Sequence, residues 1–173
     1  MYRRWISTRY EHAKSKSFEA VEAIENGADE IDMVINVGAL KDKDYDYVKA
    51  EIEEVRDNID GKTLKVIIET SLLTKEEIIK MTEICNETFV NFIKTNTGFG
   101  RRGVTKEDVE LINKHKNEVL EIKASGNITS FKQMNELIKA GATRIGTSHS
   151  VDIVTHMNCD EKCDHCHCEE EKA

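Results

Sequence analysis

Short apolar runs alternate along the chain with longer segments in which apolar residues recur at helical spacing. The runs are short and rich in Ile, Val and Leu, which is typical of strands buried on both faces. Five strands are predicted, at residues 31–36, 64–69, 90–95, 120–124 and 144–147. The segments between them are long enough for crossover helices, as in the spacing of Tyr47, Ala50 and Val55. The pattern therefore predicts strands and helices in strict alternation.

The predicted helices carry start and stop signals. A hydroxyl residue stands three positions before a side chain that can complete a capping interaction at three starts, in the pairs Thr74 and Glu77, Thr105 and Asp108, and Ser130 and Gln133. Gly27 and Gly141 stand where two helices should end just before a strand, because glycine adopts a left-handed conformation without steric cost. Both signals support the alternating assignment.

Alternating strands and helices with short loops predict a parallel sheet covered by helices. Two architectures fit this pattern: an open doubly wound sheet and a section of a (β/α)₈ barrel. Both place their sites at the carboxyl ends of the strands. The polar residues of the strands gather there, at Asn36, Glu69, 94–98, 123–126 and 146–148.

Composition narrows the function. The 173 residues suffice for one domain, and 39% apolar with 34% charged residues is ordinary for a globular protein. The net charge of −8 argues against nucleic acid or an anionic membrane as a partner. Since residues 1–17 lack the apolar stretch of a secretory signal and no apolar run is long enough to span a membrane, we expect a cytoplasmic protein with small-molecule partners.

Three charged residues form a candidate catalytic set. Lys94 and Lys123 lie late in consecutive strands, so their ammonium groups can approach at one rim of a parallel sheet. Repulsion and desolvation then lower the pKa of a lysine and leave a free amine for attack on a carbonyl. Asp32, inside an apolar run, is the carboxylate placed to move protons. In the alternative interpretation, the lysines cap strand ends in water and Asp32 pairs with one of them.

Small residues at three strand ends suggest an anion site. Gly98, Gly126 with Asn127, and Gly146 with Thr147 and Ser148 offer backbone N–H groups beside hydroxyls and precede helix starts. This arrangement binds phosphate in the last loops of barrel enzymes. Alternatively, each glycine only makes a tight turn.

The segment 156–173 has a different composition from the rest of the chain. Four cysteines in a CxxxC-x₂-CxC pattern alternate with histidines and acidic residues; they are Cys159, Cys163, Cys166 and Cys168. Thiolate and imidazole are ligands of zinc and copper, so a weak zinc site is one interpretation. The other is a disordered tail whose thiols bind metal opportunistically.

Five segments resemble deoxyribose-phosphate aldolase, in order and at ordinary spacing. They are GADEIDMVINVGAL (27–40), LKVIIETSLLT (64–74), FIKTNTGFG (92–100), EIKASGNI (121–128) and AGATRIGTSHSVDIV (140–154). The resemblance covers residues 17–155 and implies a class I aldolase on a (β/α)₈ barrel. Such enzymes cleave 2-deoxyribose 5-phosphate to acetaldehyde and glyceraldehyde 3-phosphate without a metal or cofactor.

The resemblance also implies roles for individual residues. It carries Lys94 over as the Schiff-base nucleophile, Lys123 as the second lysine that tunes it, and Asp32 as the proton-relay carboxylate. It places the substrate phosphate on Gly98, Gly126, Asn127, Gly146 and Ser148. Three positions depart from the family pattern: Asn96 stands where the family usually has Ser, Asn127 replaces the second glycine of an ASGG motif, and His149 follows Ser148 where a smaller residue is common.

Length is the larger departure. A full barrel needs eight strands and about 200 to 250 residues, and the resemblance begins at the helix before the family's fourth strand. Residues 2–6 are too short and too polar to supply three βα units. We therefore expect an incomplete barrel of about five βα units over residues 1–155, followed by the tail. Three explanations stay open: a truncated gene product, a homologue without activity, or one part of a barrel that self-association or another chain completes.

Two function classes stand at this point. The first is a carbon–carbon lyase that uses Lys94, with Lys123 and Asp32 as its distinguishing set. The second is a catalytically impaired aldolase homologue that acts as a metal-binding or regulatory protein, distinguished by its incomplete barrel and its Cys/His tail.

Overall fold

A computed structural model describes the backbone of residues 2–6 and the whole of residues 12–155. In these residues, parallel strands form one sheet in sequential order: β1 (Tyr2–Ile6), β2 (Ala28–Val34), β3 (Thr63–Ile67), β4 (Phe92–Lys94), β5 (Glu121–Ser125) and β6 (Arg144–Gly146). The helices are α1 (Ala13–Glu25), α2 (Val37–Lys41), α3 (Tyr45–Asn58), α4 (Lys75–Glu87), α5 (Lys106–His115), α6 (Phe131–Lys139) and α7 (Ser150–Thr155). A short 3-10 helix, Thr70–Leu72, follows β3.

The strand order decides between the two predicted architectures. A doubly wound sheet reverses its order at a switch point, whereas here each strand pairs with the next one along the chain. The sheet also curls strongly. This is shown by Arg144 of β6, which donates to Glu30 of β2 at 2.9 Å although three strands lie between β2 and β6. The fold is therefore a section of a (β/α)₈ barrel, as the family resemblance implies.

All five predicted strands are present, and β1 is an additional one. Strand β2 starts at Ala28, earlier than its apolar run, because its backbone pairing with β1 begins at Ala28 and its pairing with β3 begins at the acidic Glu30. Strand β1 pairs with β2 in parallel over Tyr2–Ile6. A polar run can form such a strand because the ladder uses backbone N–H and C=O groups, which do not depend on side-chain polarity.

The two faces of the sheet have opposite chemistry. Outward-facing residues such as Ile31, Met33, Val66 and Ile122 pack with the helices into one apolar core. The inward-facing positions of the same strands carry charges, namely Glu30, Asp32, Lys65, Lys94, Lys123 and Arg144. Buried charges are tolerated only when paired, so the inner surface must be organised by ion pairs.

The helix boundaries follow the predicted signals. Thr74 and Thr105 form reciprocal capping boxes with Glu77 and Asp108. Ser130 accepts a hydrogen bond from the backbone N–H at the third position of its helix, α6. Gly27 and Gly141 both have positive φ, at 91° and 119°, as expected for a helix that ends directly before a strand.

One buried ion pair fixes helices α1 and α3 against strand β2. The fully buried Lys16 donates to Glu51 Oε1 and to the carbonyl of Val34, both at 2.7 Å. The other oxygen of Glu51 accepts from the backbone N–H of Asn36 at 2.9 Å. The end of β2, which leads out of the strand carrying Asp32, is thereby tied to two helices.

We predict that Glu51→Leu lowers the free energy of unfolding by about 3 to 5 kcal/mol, because it leaves the Lys16 ammonium buried without its counter-charge. The double variant Lys16→Met/Glu51→Leu should recover most of that loss, since no uncompensated charge remains. Urea denaturation at equilibrium measures both values. A double variant as unstable as the single one would contradict this account.

Candidate active site

Asp32 lies at the centre of the charged inner surface. Its Oδ2 accepts hydrogen bonds from Lys94 Nζ and Lys123 Nζ, each at 2.9 Å. Its Oδ1 accepts one from Lys65 Nζ at 2.8 Å. Strand register explains the meeting, because Lys94 and Lys123 are direct partners in the β4–β5 ladder and their side chains point to the same face.

Burial and the neighbouring charges together set the pKa values of Asp32 and Lys123. Burial alone would raise the pKa of Asp32, but the ammonium groups of Lys94 and Lys123 and the hydrogen bond from Lys65 hold that pKa well below its usual range. For Lys123, burial lowers the pKa to about 8, against the attraction of Asp32 and with the help of repulsion from Lys94 and Lys65. The site thus holds a firmly ionised carboxylate beside a lysine that can change its protonation state near neutral pH.

A second layer of ion pairs lies on the N-terminal side of Asp32. Lys65 is fully buried and bridges Asp32 to Glu30, whose Oε2 lies 2.9 Å from Lys65 Nζ. Arg144 donates to both oxygens of Glu30, at 2.9 and 3.1 Å, and stacks over the ring of Phe92 at 4.4 Å. Burial would raise the pKa of Glu30, but the hydrogen bonds from Arg144 and Lys65 outweigh it and lower that pKa.

A cavity of about 450 Å³ opens above the two lysines at the carboxyl ends of the strands. Lys94 and Lys123 lie on its wall, and the loops after β4, β5 and β6 supply the rest: Thr97, Gly98, Phe99, Ser125, Gly126, Asn127, Ile128, Gly146, Thr147, Ser148 and His149. The cavity therefore contains both predicted lysines and every residue of the predicted phosphate site. Asp32 lies behind the lysines and is 6% exposed.

Backbone conformation shapes the wall opposite the lysines. Gly98 and Gly126 have φ of 99° and 108°, and Asn127 has φ of 53°. A Cβ at Gly126 would lie 3.0 Å from Cβ of Asn96, so the loop after β5 passes too close to its neighbour for a side chain. Asn127 is thus a non-glycine residue in a left-handed conformation on the cavity wall.

Gly146 makes room for one of the lysines. A Cβ at this position would lie 3.1 Å from Cβ of Ser125 and 3.4 Å from Cε of Lys123. A larger residue would press on the Lys123 side chain from the neighbouring strand. This glycine therefore avoids a tight contact with Ser125 Cβ and leaves the Lys123 side chain in place, which is a reason separate from any contact with a ligand.

Glu69 holds the loop after β4. It is fully buried, has a left-handed φ of 58°, and its Oε2 accepts from the hydroxyl of Thr97 at 2.6 Å and from the Thr97 backbone N–H at 3.3 Å. Asn96, which replaces the family's usual Ser, is also fully buried and accepts from the backbone N–H of Ser71 at 3.0 Å. Both side chains tie the cavity loop to the 3-10 helix that follows β3.

The structure differs from the sequence predictions in two ways: one predicted strand-end residue lies outside the cavity, and three unpredicted residues join the charged network. Asn36, also at a strand end, caps helix α2 by accepting from a backbone N–H of its first turn instead of entering the cavity. Conversely, Glu30, Lys65 and Arg144 belong to the charged network although sequence reasoning missed them. A signal for them existed, since Glu30 and Asp32 are two residues apart and Lys65 interrupts an apolar run.

The predicted tail ligands Cys159, Cys163, Cys166 and Cys168 lie outside the described residues. Within residues 2–6 and 12–155, no three His, Cys, Asp or Glu side chains are grouped closely enough to hold a metal ion. Over the same two ranges, no helix has the length and apolar character needed to cross a membrane.

Known proteins resemble this chain in both sequence and fold. A deoxyribose-phosphate aldolase from Clostridium tetani is 54% identical over 140 residues, which are 80% of this chain and 65% of that protein. Among solved structures, the aldolase QR15 superposes with a TM-score of 0.84 at 41% identity, over 88% of this chain and 69% of the other. The tetrameric deoxyribose phosphate aldolase from Aeropyrum pernix superposes with a TM-score of 0.77 at 25% identity, over 85% of this chain and 62% of the other.

These matches cover most of this chain but only part of each relative. The chain spans less than two thirds of the length of the Clostridium tetani protein. Residues 6–154 match the model of the DeoC/LacD family of aldolases. This match covers most of the chain, including all the strands that carry the charged network. The chain therefore belongs to the DeoC/LacD aldolase family.

Proposed function

We propose that the protein is a deoxyribose-phosphate aldolase. It would cleave 2-deoxyribose 5-phosphate reversibly to acetaldehyde and glyceraldehyde 3-phosphate through a Schiff base on Lys94. The observation that carries this proposal is the pair of lysines that share Asp32 Oδ2 at the base of a cavity lined by small residues. Relatives that bear the name deoxyribose-phosphate aldolase, about half identical to this chain, support the choice of substrate.

The first step is attack of the neutral Lys94 amine on the C1 aldehyde of the open-chain sugar, followed by loss of water to form an iminium ion. The C3 hydroxyl then loses its proton, the C2–C3 bond breaks, and its electron pair moves to the iminium nitrogen. Glyceraldehyde 3-phosphate leaves, and an enamine of the two-carbon fragment remains on Lys94. Protonation of its terminal carbon and hydrolysis release acetaldehyde and the free amine.

Lys123 is the group that accepts and donates protons, and Asp32 is the anion that holds it beside Lys94. A group whose pKa lies near the working pH both accepts and donates protons efficiently, and the pKa of Lys123 is about 8. Lys94 and Lys123 each lie 2.9 Å from the same carboxylate oxygen. Asp32 therefore keeps the two amines within reach of one proton while staying ionised itself.

The other end of the substrate carries a phosphate, and the small residues of the cavity suit it. Gly98, Gly126, Asn127 and Gly146 line the wall with Ser148, whose hydroxyl can donate to an anion. The carbon chain of the sugar would then extend from this wall to the lysines. The Aeropyrum pernix relative is tetrameric, which supports self-association of this chain as well.

We predict that sodium borohydride with 2-deoxyribose 5-phosphate forms a stable covalent adduct, which intact mass measures and peptide mapping assigns to Lys94. Lys94→Ala should abolish the adduct and lower kcat by about a thousandfold or more, because it removes the nucleophile. Lys106→Ala removes a half-exposed lysine of α5 and serves as the matched control. A folded protein that gives no adduct, or one that survives in Lys94→Ala, would disprove the proposed role.

We predict that kcat/KM rises as the pH increases through about 8, where Lys123 loses its proton. Asp32→Asn should move this rise to lower pH, because the lost carboxylate is the group that raises the pKa of Lys123. A pH–rate profile measures the shift. Asp29→Asn, which neutralises an exposed carboxylate of the same strand, should leave the rise unchanged. A rise that stays in place in Asp32→Asn would rule out this electrostatic coupling.

We predict that Asn127→Gly lowers KM by up to about tenfold, equivalent to about 1.4 kcal/mol, with little change in kcat. Glycine adopts the left-handed conformation of this position more easily and removes a side chain from the cavity wall. Asp60→Gly is the matched control, since Asp60 has a similar φ of 47° and is exposed outside the cavity. Steady-state kinetics give both constants, and an unchanged KM in Asn127→Gly would show that the side chain does not hinder the phosphate.

A further inference from the structure

Lys65 is a fully buried lysine that the proposed mechanism does not use. Its Nζ lies 2.8 Å from Asp32 Oδ1 and 2.9 Å from Glu30 Oε2. With 0% of its side chain exposed, it cannot reach a substrate in the cavity. A lysine in such a place costs free energy to bury, so an effect on the groups around it would explain its presence.

The contact with Asp32 constrains the orientation of the carboxylate. Because Oδ1 accepts from Lys65, the plane of the carboxylate is set from the N-terminal side of the network. The remaining oxygen, Oδ2, then faces both Lys94 and Lys123. Without Lys65, the carboxylate could rotate and pair each oxygen with one of the two lysines, which would separate their amines.

The charge of Lys65 acts in addition to its hydrogen bonds. Among the described side chains, these contacts join four basic groups and two acidic ones, namely Arg144, Lys65, Lys94, Lys123, Glu30 and Asp32. Full ionisation of these six groups would leave an excess of positive charge among them. Since a guanidinium group does not lose its proton in proteins, the excess is relieved most easily by loss of a proton from a lysine.

Lys123 is the lysine on which these charges act. Among the described residues, the charged groups that act on it are Asp32 of β2, Lys65 of β3 and Lys94 of β4. Arg144 is its ladder neighbour in β6, and His149 lies on the wall of the same cavity. Glu30 of β2 pairs with Lys65 and Arg144. Repulsion from Lys65 is one cause of the lowered pKa of Lys123, after burial and alongside repulsion from Lys94. The direction of that effect agrees with the charge excess of the network.

We propose that Lys65 is a positioning residue, which holds Asp32 with Oδ2 towards Lys94 and Lys123 and whose charge favours loss of a proton from Lys123. This inference rests on the proposed function only for its catalytic consequence. Its direct consequence is a change in the titration of Lys123, which exists whether or not the protein cleaves a sugar phosphate. A purely structural role of Lys65 would change stability and leave that titration unmoved.

The test is an NMR titration of the Lys123 side chain in protein labelled with ¹³C-lysine, with the signal assigned by its loss in Lys123→Arg. Lys65→Met removes the charge at similar volume, Lys65→Gln keeps a hydrogen-bond donor without charge, and Lys65→Arg keeps the charge. The matched control is Lys16→Met/Glu51→Leu, which removes another fully buried lysine together with its partner. Circular dichroism checks that each variant is folded.

We expect Lys65→Met and Lys65→Gln to raise the titration midpoint of Lys123 by about one pH unit or more, which reduces the neutral fraction about tenfold at neutral pH. Lys65→Arg and the Lys16/Glu51 control should keep the midpoint of the wild type. If Lys65→Met does not fold, Lys65→Gln decides. An unmoved midpoint in the charge-free variants, or an equal rise in Lys65→Arg, would overturn the proposal.

Enzyme kinetics add a second test, and its failure can be distinguished from failure of the NMR titration. In Lys65→Gln the rise of kcat/KM with pH should move upward together with the Lys123 midpoint, and kcat at neutral pH should fall more than KM changes. A wild-type protein that neither cleaves 2-deoxyribose 5-phosphate nor forms a borohydride adduct would refute the proposed function. The Lys123 titration would still decide the role of Lys65 in that case.

Discussion

The ionised carboxylate of Asp32, which accepts hydrogen bonds from three lysines, is the interaction on which the inner surface of this sheet depends. The basic side chains project inward from consecutive strands, and without a central anion their mutual repulsion in a buried space would oppose the curl of the sheet. Asp32 binds Lys65 with one oxygen and both cavity lysines with the other. Glu30 neutralises charge in the same way in the layer below, between Lys65 and Arg144.

In this arrangement the same contacts determine both the stability of the buried charges and their protonation states. The pairs that allow the charges to be buried also keep Asp32 deprotonated, while burial and the repulsion among the lysines lower the pKa of Lys123. A buried network of this kind is a costly way to fill a barrel, since apolar residues of similar volume often stabilise a protein as well or better. Its presence on the inner surface, beside an outer surface whose buried strand positions are apolar, is therefore best understood through the reaction it would support.

The apolar outer surface also contributes to the site. Packing of its residues against the helices sets the register of β4 and β5, because a slip of one residue would turn every side chain to the opposite face. In the observed register Lys94 and Lys123 are direct neighbours. Beyond them, the hydroxyls of Thr95 and Ser125 donate across the strand ends to backbone carbonyls of the neighbouring segment, at 2.8 and 2.6 Å. The distance between the two amines is thus maintained both by the core and by the strand ends.

The sequence by itself determined the alternation of strands and helices, the capped helix starts, the parallel sheet and the strand ends at which Lys94, Lys123 and the glycine loops occur. These features are local: apolar periodicity, capping residues and glycine positions act within a few neighbours along the chain. Family resemblance implied roles for single residues, and these roles stay predictions. The choice between an open sheet and a barrel section, the joining of β1 to β2, and the network of Glu30, Lys65 and Arg144 were decided only by the tertiary structure. The contact between Arg144 and Glu30 joins residues 114 positions apart, and no local pattern encodes which charges a curled sheet brings together when water is removed from its inner surface.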